Sequence, residues 1–358
     1  MKMLPLIASA VLLVAACGGK EPVPGPEPAP TIEFSPTALS LSPEGGEGSV
    51  RVQASAVWDV RTDGQDWYEL VSSPQVFRGE SILKVKAQPN VSGETRRASV
   101  SFCNGEASAS LELTQASVSY VPDGYGLVWQ DEFSGGSEDL VKKWRFEDWA
   151  PGRVNHELQR YVPDDRRTAF VENGALNIVA AKDGSQVISA RMNTRESWLY
   201  GYVEASIRLP KGKGTWPAFW MMPDDFSKGW PACGEIDIME EVGTHANYTS
   251  SSIHCNSYNH VKGTQKTAER LTAGAEDGFH VYALEWTEDY IRTYVDGKVL
   301  LDFPNDKKGD DNTWPFDKKF YVILNLAWGG DWGGMNGVDE SALPCTMQVD
   351  YVRVYKKQ

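Results

Sequence analysis

Three carboxylates fall within six residues at Glu235, Asp237 and Glu240, in the segment Gly234-Glu235-Ile236-Asp237-Ile238-Met239-Glu240-Glu241. The segment is otherwise apolar, as a buried strand is, and a partly buried charge there must be paired or change its pKa. On a strand, residues two apart share a face, so Glu235 and Asp237 point the same way. Strict alternation would send Glu241 with them and Glu240 to the opposite face. A β-bulge at Ile238-Met239 adds one residue and returns Glu240 to the first face. The chemistry that uses such a set is glycoside hydrolysis. Two carboxyl groups flank the scissile bond, and a separation of about 5–5.5 Å goes with a covalent, retaining route. One must be ionised to attack and the other protonated to donate. Crowding supplies that difference, because neighbouring negative charge raises the pKa of one partner. A charged edge strand facing solvent would carry the same residues, so the surroundings decide.

Those surroundings are aromatic. In Trp216-Pro217-Ala218-Phe219-Trp220 both indoles fall on one face with small Ala218 between them, while Phe219 and Met221 take the other, a candidate core face. Two indoles flanking a gap offer a platform to pyranose rings, whose hydroxyls then seek polar neighbours. Trp230, just before the carboxylate segment, can serve the same groove. With 13 Trp in 358 residues, aromatic surface beyond an ordinary core is expected.

Such groups need a wide, rigid sheet beneath them. Apolar and polar residues alternate in 201–209, 282–286, 291–295 and 347–355, the 33 Gly and 20 Pro supply many turns, and helical periodicity is nearly absent. Residues 125–357 therefore read as two large stacked sheets, a β-jelly-roll sandwich with a concave substrate cleft. Residues 31–117 carry their own short alternating runs, at 49–54, 82–86, 98–102 and 110–114, and are expected to form an Ig-like β-sandwich. The whole chain is all-β on this reading.

Ahead of both units, Leu4 to Ala16 is an apolar run too short to cross a bilayer, and it ends Val14-Ala15-Ala16-Cys17. Small residues before a Cys resemble the bacterial lipobox. Residues 1–16 are thus expected to be a lipoprotein signal peptide, with Cys17 as the lipidation site. Residues 17–30, alternating Pro and Glu, read as a semi-rigid tether. The expected location is extracytoplasmic, periplasmic or at the cell surface, on a bacterial outer membrane, with contact to lipid only through Cys17 and a monomeric chain. Cys103, Cys233, Cys255 and Cys345 form no C-x-x-C pattern, and the five His include no H-E-x-x-H, which argues against zinc. Free buried thiols are expected, because Cys103 lies apart from the other three. The net charge of −14 argues against nucleic acid, heparin or an anionic bilayer surface as partner.

Segment 234–240 resembles the E-x-D-x-x-E signature of glycoside hydrolase family 16, in its laminarinase-like form with the extra bulge residue. The resemblance continues through Trp129-Gln130-Asp131-Glu132-Phe133, Asn155-His156-Glu157-Leu158-Gln159, Gly201-Tyr202-Val203-Glu204-Ala205, Gly214 to Trp220, Ile323-Leu324-Asn325-Leu326-Ala327 and Val349 to Tyr355, covering nearly all of 125–357. It implies Glu235 as nucleophile, Asp237 as its helper and Glu240 as acid/base. It implies Asn155, Arg191, His254 and Asn325 as polar partners of the sugar, while Trp328 and Trp332, in the Gly-rich segment Ala327-Trp328-Gly329-Gly330-Asp331-Trp332, read as loop aromatics on the groove rim. A structural calcium ion is implied at Glu132, the carbonyl of Gly174 and Asp350; hard oxygen ligands suit it. No cofactor is implied for catalysis. The N-terminal unit, with Trp58, Trp67, the 90–97 segment and Thr114-Gln115, resembles the BACON module; it serves as a spacer or as a sugar-binding unit.

The resemblance implies endo-acting, retaining hydrolysis of β-1,3- or mixed β-1,3/1,4-glucan. A β-galactosidase of the same family, acting on galactan or mucin-type glycans, differs by one hydroxyl contact. A surface glycan-binding protein with a dead site is the third reading, and the presence of all three carboxylates speaks against it.

Overall fold

The computed structural model describes residues 29–71, 76–91, 95–105 and 107–358. The leader at 1–16, Cys17 and most of the 17–30 tether lie outside the described residues. Strands dominate, and the two α-helices among the described residues, Leu140–Lys143 and Gly330–Gly333, are single turns. No described helix is long and apolar enough to cross a membrane.

Residues 32–115 build a seven-stranded sheet organised around one long strand, Gly46–Thr62. Its first half pairs with Ile32–Ser35 and Val76–Ala87, and its second half with Arg96–Asn104, with the ladder broken between Ala54 and Trp58. Alternation sends Val50, Val52, Trp58, Phe77, Leu83, Val100, Phe102 and Leu111 into one apolar cluster of its own. This cluster shares no residue with the apolar cluster of residues 125–358.

From Tyr125 onward the strands form two further sheets. The ten-stranded outer sheet runs in the order Gln159–Tyr161, Gln186–Ser189, Ala175–Asp183, Cys345–Lys357, Gly201–Arg208, His280–Trp286, Tyr290–Val295, Lys298–Pro304, with Ala169–Glu172 and Tyr125–Asp131 attached at its sides. The inner sheet has seven strands in the order Lys266–Leu271, Tyr248–His254, Glu235–Glu240, Thr215–Pro223, Phe320–Trp328, Arg191–Thr194, Trp144–Phe146. Side chains from both sheets meet in a single large cluster that includes Val203, Ala205, Phe219, Met221, Leu284, Leu324, Leu326 and Val352. This is the expected all-β, jelly-roll-like pair of stacked sheets.

The alternation anticipated for the tryptophan strand is observed. Phe219 and Met221 are fully buried between the sheets, while Trp216, Ala218 and Trp220 line a cleft on the other face. In the neighbouring strand Phe320–Trp328, Phe320, Val322, Leu324 and Leu326 go to the core, and Tyr321, Asn325 and Ala327 face the cleft. Cys233, Cys255 and Cys345 are buried free thiols as expected; Cys103 is free but only half-buried.

Candidate active site

The carboxylate strand carries the bulge. Across from the tryptophan strand, Ala218 faces Glu240 and Phe219 faces Met239, but Trp220 faces Asp237, which leaves Ile238 as the extra residue. On the other side Asp237 pairs with Ser252 and Glu240 with Ser250, so Ile238 and Met239 together oppose Ser251. Both side chains of the bulge go to the core, with no exposed surface. Burial of two consecutive apolar residues is what turns Glu240 back to the face of Glu235 and Asp237, and all three line the cleft. Glu241 points elsewhere. It is 1% exposed, accepts a 2.6 Å hydrogen bond from the Asn247 amide, and has no hydrogen-bond partner on its second oxygen.

Each carboxylate has its own holder. Trp230 Nε1 donates to Glu235 Oε2 at 3.0 Å, and Trp216 Nε1 donates to Glu240 Oε1 at 3.0 Å. His254, the ladder partner of Glu235, places Nε2 3.2 Å from Asp237 Oδ2 and 3.8 Å from Glu235 Oε1. Burial, and then the Asp237 charge, push Glu235 up to about 8 and Glu240 likewise to about 8; burial raises Asp237 well above the usual carboxylate range. The two Glu differ in what opposes this. His254 and Arg191 favour the anion of Glu235, whereas Glu240 has the Trp216 hydrogen bond and His254 but not Arg191. Both carboxyls are pushed up to about 8, so what distinguishes them is their surroundings: Arg191 acts on Glu235 and not on Glu240. An attacking carboxylate and a donating carboxyl require unlike surroundings of this kind.

The cleft, of about 840 Å³, continues on both sides of these groups. On one side the Arg191 guanidinium lies between the rings of Trp149 and Trp220, at 4.2 and 4.6 Å from their centroids. Trp220 Nε1 donates to Asn325 Oδ1 at 2.7 Å, and Asn325 is the ladder partner of Arg191. Asn155, in the left-handed region at φ 48°, lines the same end. On the other side Trp230 packs against His260, with ring centroids 4.8 Å apart, and Phe226 completes the wall although it is 51% exposed. Trp332 stands edge-on to Trp216 at 5.4 Å and forms rim, as its loop position implied.

Trp328 is a correction. It is the last residue of its strand, and the alternation that sends Leu324 and Leu326 inward sends it inward too. It is 1% exposed within the inter-sheet core, against Gly214, and is not part of the cleft wall. Trp149, Phe226 and His260 were not singled out from sequence. Phe226 had a readable signal: a single large apolar residue in the polar turn Asp224-Asp225-Phe226-Ser227-Lys228. Trp149 and His260 lie in loops where neither periodicity nor spacing points anywhere.

The three positions proposed for calcium converge through the outer sheet. Val349 pairs with Leu176 and Val352 with Asp131, so Asp350 sits where the partner of its strand changes, beside Gly174 and Glu132. Both carboxylate oxygens of Glu132 are taken by Arg353, each at 2.7 Å. The Glu132 side chain therefore does not fit a calcium ligand here, and a cation would rest on Asp350 and main-chain carbonyls.

Two stacked sheets with a carboxylate triad on the cleft face define a class, and comparison with known proteins agrees. The family model of the glycosyl hydrolases family 16 matches residues 159–353, and the chain belongs to that family. It is 44% identical over 242 residues to a β-glucanase from Rhodothermus marinus, covering 64% of this chain and 85% of that protein. Among solved structures it is similar to a non-specific endo-β-1,3(4)-glucanase, with 45% identity, a TM-score of 0.64, and coverage of 66% of this chain and 93% of the other. A keratan-sulfate endo-1,4-β-galactosidase from Sphingobacterium multivorum is 33% identical over 262 residues, 70% of this chain and 60% of that protein.

Proposed function

We propose that the chain is an endo-acting, retaining hydrolase of β-1,3- or mixed β-1,3/1,4-glucan. The observation that carries this is the bulge, which gathers Glu235, Asp237 and Glu240 on the floor of a cleft walled by Trp216, Trp220 and Trp230. The similarity to glucanases at 44–45% identity favours glucan over galactan. Glu235 attacks the anomeric carbon while Glu240 protonates the departing oxygen, forming a glycosyl-enzyme ester. Glu240, now a base, then takes a proton from water, which releases the sugar with its β configuration retained. Asp237, beside Glu235, supports the negative charge that keeps a proton on Glu240.

The test is product analysis on laminarin, barley glucan, an agarose-type galactan and mucin glycans. Expected are mixed oligosaccharides from the glucans, with the β anomer appearing first by proton NMR. Cleavage of the galactan or mucin arms alone would move the substrate to the galactoside reading, and an α anomer first would overturn the mechanism.

The finer assignments belong to the same proposal. Leu4 to Cys17 supports lipid anchoring and an extracytoplasmic location, the separate core of residues 32–115 supports an independent Ig-like, BACON-like spacer, and Asp350 with the Gly174 carbonyl supports a bound calcium ion. Melting with calcium and with chelator tests the last: a bound ion raises the transition, and identical curves would remove it.

A further inference from the structure

The floor of the cleft carries a donor set that hydrolysis does not require as such. Carboxylate oxygens of Glu235 and Asp237 and a ring nitrogen of His254 lie within 4.8 Å of one another. Asp237 is 3% exposed, and its Oδ2 has no hydrogen-bond partner although His254 Nε2 stands 3.2 Å away. Among the described residues no Lys or Arg forms an ion pair with either carboxylate. Glu235 is held on its other oxygen by Trp230, and the two carboxylates face the cleft with one imidazole between them.

We propose that Glu235, Asp237 and His254 form a site for a divalent transition ion such as Zn²⁺, Cu²⁺ or Co²⁺, entered through the cleft, and that occupancy blocks hydrolysis reversibly. One imidazole nitrogen with two carboxylate oxygens suits these ions. Calcium and magnesium would demand six or more oxygens. Tetrahedral ligands at about 2.0–2.2 Å from zinc sit roughly 3.3 Å apart. His254 Nε2 and Asp237 Oδ2 already have that spacing, and Glu235 Oε1, at 3.8 Å from the same nitrogen and within 4.8 Å of Asp237, completes the set once its side chain turns inward. The fourth position opens to the cleft. Glu147, Glu269 and Asp331 on its walls, set against Arg153 and Arg191, and a net charge of −14 favour cations there. A bound ion takes the lone pairs that Glu235 would use in attack. The inhibition rests on the hydrolase reading; the binding does not.

Titration of the whole chain with Co²⁺, and separately with Zn²⁺, in the absence of sugar tests the site. Calorimetry should give one ion per chain. The cobalt form should show visible d–d bands without an intense near-ultraviolet thiolate band. His254→Gln and Asp237→Asn should each weaken binding at least tenfold, and the ion should inhibit laminarin hydrolysis by the unmodified chain with a matching constant, reversed by chelator. If His254→Gln does not fold, Asp237→Asn decides. A thiolate band, which would point to Cys233 or Cys255, affinity unchanged in the folded variants, or saturation without loss of hydrolysis would each overturn the proposal. A chain that binds Co²⁺ as described yet cleaves no glycan would reject the proposed function and leave the site standing.

Discussion

Replacing Glu241 by Gln should stabilise the protein, by an amount that grows with pH. Burial, and then the Glu276 charge, push this carboxyl up to about 8 from an ordinary 4.5. Its first oxygen accepts from the Asn247 amide at 2.6 Å, a bond a Gln carbonyl can keep, and its second oxygen is buried with no partner. A carboxyl raised in the folded state is worth most below its unfolded pKa. As pH rises from about 4.5 to about 8 the unfolded chain releases the proton and the folded chain holds it, so stability falls; above about 8 the loss is complete. At pH 7 the cost is about 3 kcal/mol at 1.36 kcal/mol per unit. The new amide must find room for its own N–H groups, so a net gain of about 1–3 kcal/mol is expected at pH 7 and under about 1 kcal/mol at pH 5. Urea unfolding of both proteins at pH 5, 7 and 8.5 reads the difference directly. A gap independent of pH, or a variant weaker than the parent throughout, would refute the reasoning. Hydrolysis should change little, since Glu241 does not line the cleft.

Glu235→Gln should leave the unfolding transition intact and remove nearly all turnover on laminarin, because an amide cannot attack the anomeric carbon. Glu240→Gln should abolish cleavage of natural glucan and spare more activity on an aryl glycoside, whose leaving group needs no proton; general acid catalysis is worth roughly 10²–10⁴-fold, and equal losses on both substrates would contradict the assignment. Trp328→Ala should cost about 3–5 kcal/mol in denaturant unfolding, as a core cavity does, with product lengths unchanged in whatever folded protein remains. Residues 120–358 alone should fold and hydrolyse soluble glucan at a similar rate, since the two apolar clusters share no residue; aggregation of that piece would show that the first unit does more than hold distance.

What was legible in the sequence was what period two controls. Alternation placed Trp216 and Trp220 in the cleft and Phe219 and Met221 in the core, and the adjacent acids Glu240 and Glu241 forced the choice that the bulge resolves. Trp230, read from its place just before the carboxylate segment, lines the cleft, as do Asn155, Arg191, His254 and Asn325, whose pattern came from the family resemblance and not from spacing. Trp328 shows where the reading slipped: its Gly-rich neighbours made it look like loop, yet the strand continues through it, and parity with Leu326 would have sent it inward. Phe226, Trp149 and His260 reach the cleft by loop paths, which depend on how distant segments pack and leave no period to read. The stacking of Arg191 between Trp149 and Trp220 joins segments over seventy residues apart, beyond what local pattern can show.

The bulge also bears on which genetic changes this strand can absorb. Loss of a single codon at Ile238 or Met239 would leave Glu-x-Asp-x-Glu, and plain alternation sends all three of those acids to one face without any bulge. The deletion would forfeit one buried side chain, at about 2–5 kcal/mol, but it would not reassign the acid that faces the sugar. A codon gained beside Asp237 has no such escape, because the core already holds two consecutive apolar residues there and has no place for a third. Length variation in this strand should therefore run in one direction. Lineages can shed the extra residue and keep the chemistry, while those that add another lose the frame in which the chemistry is written.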